Sequence, residues 1–163
     1  MKKSLWLVVM LQAFVLGADE GGETKTQLSG VVFYRLKSGE SLILRGLNIY
    51  VVDESEVRNN PGIVVDSATL KITAAMAEVL GDCSRVTGGE KLIAKSATYK
   101  ATTNIDAKYS FQGLAEGDYH VFAFLNSSAA NGVWDIAVKL RDQPVKLDLD
   151  NSNISAVCDV STP

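Results

Sequence analysis

Few side chains in this chain could do chemistry, and they are scattered. His120 is the single histidine, so no second imidazole can share acid and base roles with it. No Ser or Cys arrangement beside it suggests an activated nucleophile. It alternates with Phe122 and Phe124 along one stretch, the setting of a packed or surface-edge histidine rather than a base. Cys83 and Cys158 are the two cysteines, and an even number suggests one disulfide if the chain reaches an oxidising compartment. That bridge would close a loop of 75 residues and contribute about 4 kcal/mol in the chain-entropy account. Two cysteines and one distant histidine do not form a zinc motif. Asp148, Asp150, Asn151 and Asn153 offer oxygen ligands but lack the glycine and terminal glutamate of a calcium-binding loop. Thr87-Gly88-Gly89-Glu90-Lys91 has the wrong glycine spacing for a phosphate loop. No catalytic residue, metal ligand or cofactor is therefore assigned.

Two aromatic side chains keep a binding role open. Trp134 and Tyr119 could stack on sugar rings, although Trp134 shares its parity with Ile136, Val138 and Leu140, which argues for a place in the core. Asn126-Ser127-Ser128 and Asn153-Ile154-Ser155 match glycosylation sequons, relevant only to a eukaryotic source.

The elements that must position these residues begin after a leader. Met1-Lys2-Lys3 is a short basic head, and Leu5 to Leu16 is apolar except for Gln12. Val15-Leu16-Gly17 then precedes the acidic start Ala18-Asp19-Glu20, the layout of a secretory signal peptide over 1–17. The apolar run is shorter than the ~20 residues of a spanning helix. Loss of Lys2 and Lys3 with the leader leaves 14 Lys+Arg against 19 Asp+Glu, a net charge of −5. An acidic product without a basic cluster lacks the footprint of a nucleic-acid binder and the basic stripe used on anionic lipid surfaces. The expected localisation is secreted or periplasmic, without stable membrane insertion after cleavage.

Residues 18–27 read as a flexible leader, and strand patterning starts at Leu28. Alternation predicts strands over 28–36, about 42–53, 98–104, 108–112, 119–126, 133–141 and 145–149. Tyr119–Asn126 is apolar on both faces, which marks a central strand. Asn131-Gly132 is a strong short hairpin signal. Between the second and third strands, Asn59-Asn60-Pro61-Gly62 reads as a turn. An alanine-rich stretch with Asp66 as cap and Gly81 as stop then predicts a helix over 66–80, with strand as the alternative for 68–74. A loop is expected near Thr87-Gly88-Gly89, and a short helical turn over Glu90–Lys95.

The run from Thr103 to Val121 resembles the signature of carboxypeptidase regulatory-like domains, which are transthyretin-like (prealbumin-like) β-sandwiches. Thr103, Tyr109, Phe111, Leu114, Gly117 and Tyr119 fall in register with that pattern, and Gly30-Val31 and Gly46 to Val51 match its opening strands. The chain departs from it at Asn104 for Asp, Ala107 for Gly and Ala115 for Pro. Ala107 argues against the usual turn, because glycine adopts positive φ freely and alanine does not. The resemblance covers about Leu28 to Asp150 and implies a seven-stranded Greek-key β-sandwich. Residues 28–151 would form this divergent sandwich, interrupted by an insertion at 54–97, with 152–163 as a tail. Hydroxyisourate hydrolases of similar fold rely on several histidines and a C-terminal motif that this chain lacks. The resemblance implies an exported non-enzymatic module that binds or builds, with an unknown protein or glycan as partner. The alternatives are sugar binding through an aromatic sheet face, or an enzyme with a site between insertion and sandwich.

Overall fold

A computed structural model describes residues 26–59 and 86–159, with backbone alone at 86–88, 158 and 159. Among them ten strands form three sheets, rather than the seven strands expected. The larger sheet follows the order β10-β8-β7-β4-β5, with β4 at Asn48–Asp53, β5 at Tyr99–Thr102, β7 at Gly117–Asn126, β8 at Ala130–Leu140 and β10 at Ala156–Asp159. A smaller sheet runs β6-β1-β9, from Lys108–Leu114, Thr26–Val31 and Val145–Lys146. β2 (Phe33–Arg35) and β3 (Ser41–Ile43) form a separate two-stranded ribbon. The two larger sheets face each other as a sandwich, and a helical layer covers the outer face of the large sheet.

Residue parity explains both layers. On β7, Tyr119, Val121, Ala123 and Leu125 point into the sandwich core with Ile49 and Val51 of β4, Trp134 and Leu140 of β8, and Leu28, Tyr109 and Phe111 of the small sheet. Phe122 and Phe124 point the opposite way and pack with Tyr50, Val52, Val133, Val57 and Ile93. β7 is thus the buried centre that its two apolar faces foretold. Helix α1 (Glu54–Asn59) supplies Val57 and helix α2 (Val86–Ser96) supplies Ile93. Asp53 caps α1, its carboxylate accepting the Ser55 amide at 2.8 Å.

Several sequence expectations change. The predicted helix 66–80 lies outside the described residues, as does Cys83. Helix α1 occupies part of what reads as a charged approach to a turn, because Val57 can reach the apolar outer face of the sheet. α2 runs through Thr87-Gly88-Gly89 instead of starting after it. β1 begins at Thr26, inside the expected leader, and Thr26 is buried with Oγ1 donating to the Arg141 carbonyl. β10 lies in the expected tail and pairs with β8. The strand expected at 42–53 breaks at Leu44–Leu47, where Gly46 has φ +68°. Thr103 holds that break: its hydroxyl donates to Leu44 O at 2.7 Å and accepts the Leu47 amide at 2.8 Å.

The chain turns between β7 and β8 at Ser127–Ala129, not at Asn131-Gly132. Asn131 and Gly132 are strand residues facing Asn126 and Leu125. The Ser127 hydroxyl accepts the Ala130 amide at 3.0 Å and donates to the Ala130 carbonyl at 2.8 Å, closing the loop without glycine. Gly132 is needed for packing, since a Cβ there would lie 2.9 Å from Ile154 Cδ1 and 3.0 Å from the Ala156 carbonyl.

The turn at Ala107 forms despite the missing glycine. Ala107 adopts φ 56°, and Asn104 supplies the compensation. Its Oδ1 accepts the amides of Asp106 and Lys108, both at 2.9 Å, and this Asx geometry fixes the local chain.

Candidate functional site

His120 and Asp135 are neighbours on the outer face of the large sheet, on β7 and β8. His120 Nδ1 lies 2.7 Å from Asp135 Oδ1, and the side chains are 1% and 2% exposed. The imidazole stacks on Phe122 with ring centroids 5.9 Å apart. Its Nε2 is buried and has no hydrogen-bond partner among the described residues. Ser155 Oγ donates to the Asp135 carbonyl at 3.0 Å and accepts its amide at 2.9 Å, fixing the backbone there. The pair is a sealed polar contact under the helical layer, and neither group reaches solvent.

The stacking platform expected from Trp134 and Tyr119 is corrected. Trp134 is wholly buried, its Nε1 donating to the Asp150 carbonyl at 2.9 Å. Tyr119 is 5% exposed, and its hydroxyl reaches back to the Ala115 carbonyl at 3.2 Å. Neither ring offers a face to a ligand. Gly117 explains the arrangement of Tyr119: a Cβ at 117 would lie 2.9 Å from the tyrosine ring, so the glycine gives the ring its space. Burial, followed by the charges of Tyr99 and Asp53, raises the Tyr119 phenol above its ordinary value.

The remaining resemblance residues are also buried. Tyr109 and Phe111 lie on one face of β6 in an edge-to-face pair at 6.1 Å. Tyr109 donates to the Leu147 carbonyl at 2.6 Å, and burial followed by the Asp148 charge raises its phenol. Leu114 ends the strand after a bulge at Gly113, which has φ +73°. Of the expected disulfide pair, Cys158 contributes only its backbone to the described residues.

The oxygen-rich run 148–153 folds on itself. Asp148 Oδ1 accepts the Val31 amide at 3.0 Å, and Asp150 Oδ1 accepts the Ser152 amide at 2.7 Å. Asn153 Oδ1 accepts the Asp150 amide at 2.9 Å while its amide group donates to Asp148 O at 2.7 Å. Asn151 clamps Arg35, accepting its amide at 2.6 Å and donating to its carbonyl at 2.8 Å. The oxygens are engaged in shaping a loop rather than converging on a cation.

That loop forms a wall of a surface hollow that residue types alone did not reveal. The hollow is about 480 Å³ and is lined by Phe33, Arg35, Leu36 and residues 150–152. Phe33 is 39% exposed and lies opposite Ile43, itself 57% exposed. Phe33 and Arg35 share the outward parity of β2, while Tyr34 between them is buried. The available signal was the alternation Phe33, Arg35 in a strand whose opposite face points inward. A second hollow of about 630 Å³ lies against the small sheet, with Ser29, Ser110, Lys108 and Lys146 among its lining residues. It has no exposed aromatic ring. Among the described residues, no helix is long and apolar enough to cross a membrane.

No family model matches the chain, and no curated protein matches it. Among solved structures it is similar to a candidate carbohydrate-binding protein of Pseudomonas aeruginosa, at 12% identity and TM-score 0.48, covering 78% of this chain and 88% of that one. A minor pilin of Streptococcus agalactiae is similar at 14% identity and TM-score 0.47, over 85% of this chain and 46% of the pilin. The major pilin subunit of Bacillus cereus is similar at 14% identity and TM-score 0.35, over 79% of this chain and 29% of the pilin. This chain therefore spans less than half the length of either pilin. Likeness at this level does not carry function across.

Proposed function

We propose that the protein is an exported, non-catalytic β-sandwich, a divergent relative of carboxypeptidase regulatory-like domains that serves as a binding or structural module of the envelope or extracellular space. One contrast carries this reading. The histidine–carboxylate pair is sealed at 1% and 2% exposure, while the described hollows are surface features lined by an exposed aromatic ring, lysines, an arginine, neutral polar groups and the Asp150 carboxylate, which is engaged with Ser152. Recognition needs presented groups, whereas general acid–base catalysis needs a titratable group within reach of substrate. The basic, apolar and acidic layout of residues 1–20 supports export. In an oxidising compartment, a Cys83–Cys158 bridge would tie the insertion to the C-terminal strand.

The test is expression of the full chain followed by fractionation and intact mass. The expected product is extracytoplasmic, starts at Ala18, and gains the mass of two alkyl groups only after reduction under denaturing conditions. Retention in the cytoplasm with the leader intact would overturn export. An unshifted mass after reduction and alkylation would remove the bridge. Turnover of any substrate that depends on His120 would overturn the non-catalytic reading.

A further inference from the structure

We propose that the hollow beside Phe33 binds an acidic sugar residue, with the ring stacked on Phe33 and its carboxylate held by Arg35. The inference rests on the binding-module reading and supplies it with a ligand class. An exposed phenyl face carries negative π density, which suits the weakly positive C–H face of a pyranose. Two residues along the same strand face, the Arg35 guanidinium has no hydrogen bond or ion pair among the described residues, although its backbone is fully engaged by Asn151. A free guanidinium fork matches a carboxylate with two parallel bonds.

Polar groups complete the wall. Asp150 Oδ1 is occupied by Ser152, which leaves Oδ2 as an acceptor for sugar hydroxyls. One N–H of the Asn151 amide is committed to Arg35 O, which leaves the other as a donor. The wall is also rigid, because Asp150 O holds buried Trp134 and Asn153 ties Asp150 to Asp148. A preorganised wall loses little ordering entropy when a ligand arrives.

Charge and size favour this ligand over others. The segment 33–46 carries Arg35, Lys37 and Arg45 against Glu40, and the facing wall adds the Asp150 carboxylate, which leaves a small net excess of cations on a chain of net charge −3. Exposed Arg45 lies in the turn that follows Ile43, its amide donating to the Ile43 carbonyl at 3.1 Å, and adds a second cation to the ribbon segment. The apolar strip is one Phe and one Ile wide, far below the ~800 Å² per partner of a stable protein interface. The hollow lies within the ~300–1,000 Å³ range of small-ligand sites.

The experiment is calorimetric titration of the mature protein with oligomers of galacturonate and of mannuronate, with neutral oligomers of galactose and mannose as controls. At least one acidic oligomer should bind about tenfold or more tightly than its neutral counterpart. Arg35→Gln should abolish that preference, Phe33→Ala should remove binding, and Phe33→Tyr should retain it. Lys108→Gln, at the other hollow, should change affinity less than twofold. Equal affinity for acidic and neutral oligomers, no binding to either acidic oligomer, or indifference to Phe33→Ala would overturn the proposal. Equal losses from Lys108→Gln and Arg35→Gln would also overturn it, in favour of diffuse charge attraction. Anionic phospholipid vesicles captured in place of oligomers would overturn it in favour of a lipid surface. Unfolding curves check that the variants fold, which the exposure of Phe33 and Arg35 leads us to expect. Failure here would leave export standing, and cytoplasmic retention would not alter the titration.

Discussion

Gly30→Ala should be among the most damaging single-methyl additions to this chain. An alanine Cβ at 30 would lie 1.8 Å from the Leu147 carbonyl oxygen and 2.6 Å from its carbon. A relaxed C···O contact is about 3.3 Å, so β1 and the 145–149 segment would have to part by about 1.5 Å. The clash is with backbone, which cannot rotate away as a side chain can. Parting would stretch Leu147 N to Ser29 O at 2.8 Å, Leu149 N to Val31 O at 2.9 Å, and Tyr109 OH to Leu147 O at 2.6 Å. Overpacking costs about 1–3 kcal/mol, and three weakened hydrogen bonds cost about 1 kcal/mol each. The expected total is about 4–6 kcal/mol. With a urea slope near 2 kcal/mol/M, the midpoint should fall by about 2–3 M. Tyr109→Phe should cost about 1–2 kcal/mol alone, but less on the Gly30→Ala background, where its bond is already strained. A midpoint shift below about 0.5 M, or strict additivity of the two changes, would refute the reasoning.

Three other outcomes follow from the same geometry. Burial, and then the Glu90 carboxylate that accepts its proton at 2.8 Å, push the Tyr50 phenol from 10.0 up to about 12. The fold therefore keeps a proton that the unfolded chain sheds, so this stabilisation is complete below pH 10 and is lost as pH rises toward about 12. The melting temperature should decline across that window, and Glu90→Gln should bring the phenolate absorbance transition to lower pH; a transition unmoved by Glu90→Gln counts against the assignment. Asn104→Ala should cost about 1–2 kcal/mol in chemical denaturation by orphaning the Asp106 and Lys108 amides, whereas Asn104→Asp, which keeps the acceptor, should stay within about 0.5 kcal/mol. Asp135→Ala should cost about 2–4 kcal/mol, because it strands His120 Nδ1 in a sealed site; a neutral result would mean that the pair is open to water.

The parts of this fold that could be read in the sequence are those where one residue type has one physical use. β7 was legible because Phe122 and Phe124 face away from Val121 and Ala123, and only a strand covered on both sides tolerates that. Gly30 and Gly117 were legible as resemblance positions, and the structure shows why: each leaves space that a carbonyl or a tyrosine ring occupies. Asn131-Gly132 misled because a glycine needed for close packing under Ile154 and Ala156 looks the same in sequence as one needed for a turn. Ala107 misled in the opposite sense, since the Asn104 carboxamide supplies by hydrogen bonding what glycine would supply by freedom. The candidate site was illegible for a different reason. Trp134 is the larger ring, but exposure depends on partners far away in sequence, and Asp150 and the sandwich core enclose it. Phe33 owes its exposure to a ribbon that leaves both main sheets, a departure that alternation within 28–36 cannot show.

One pairing also has a mechanical meaning. β1 and β9 run parallel, joined near Leu28–Val145 and Ser29–Lys146 and continued by the bridge from Val32 to Leu149. If tension enters ahead of Thr26 and leaves beyond Leu149, the two segments are pulled in opposite directions along their own length. The bonds from Leu147 to Ser29 and from Leu149 to Val31 then share the load side by side, whereas an antiparallel hairpin pulled from its open end breaks one rung at a time. The peripheral contact of β10 with β8 can yield first while this clasp holds. A domain joined in this way resists stretching by shear, with its two backbone bonds loaded together rather than in turn.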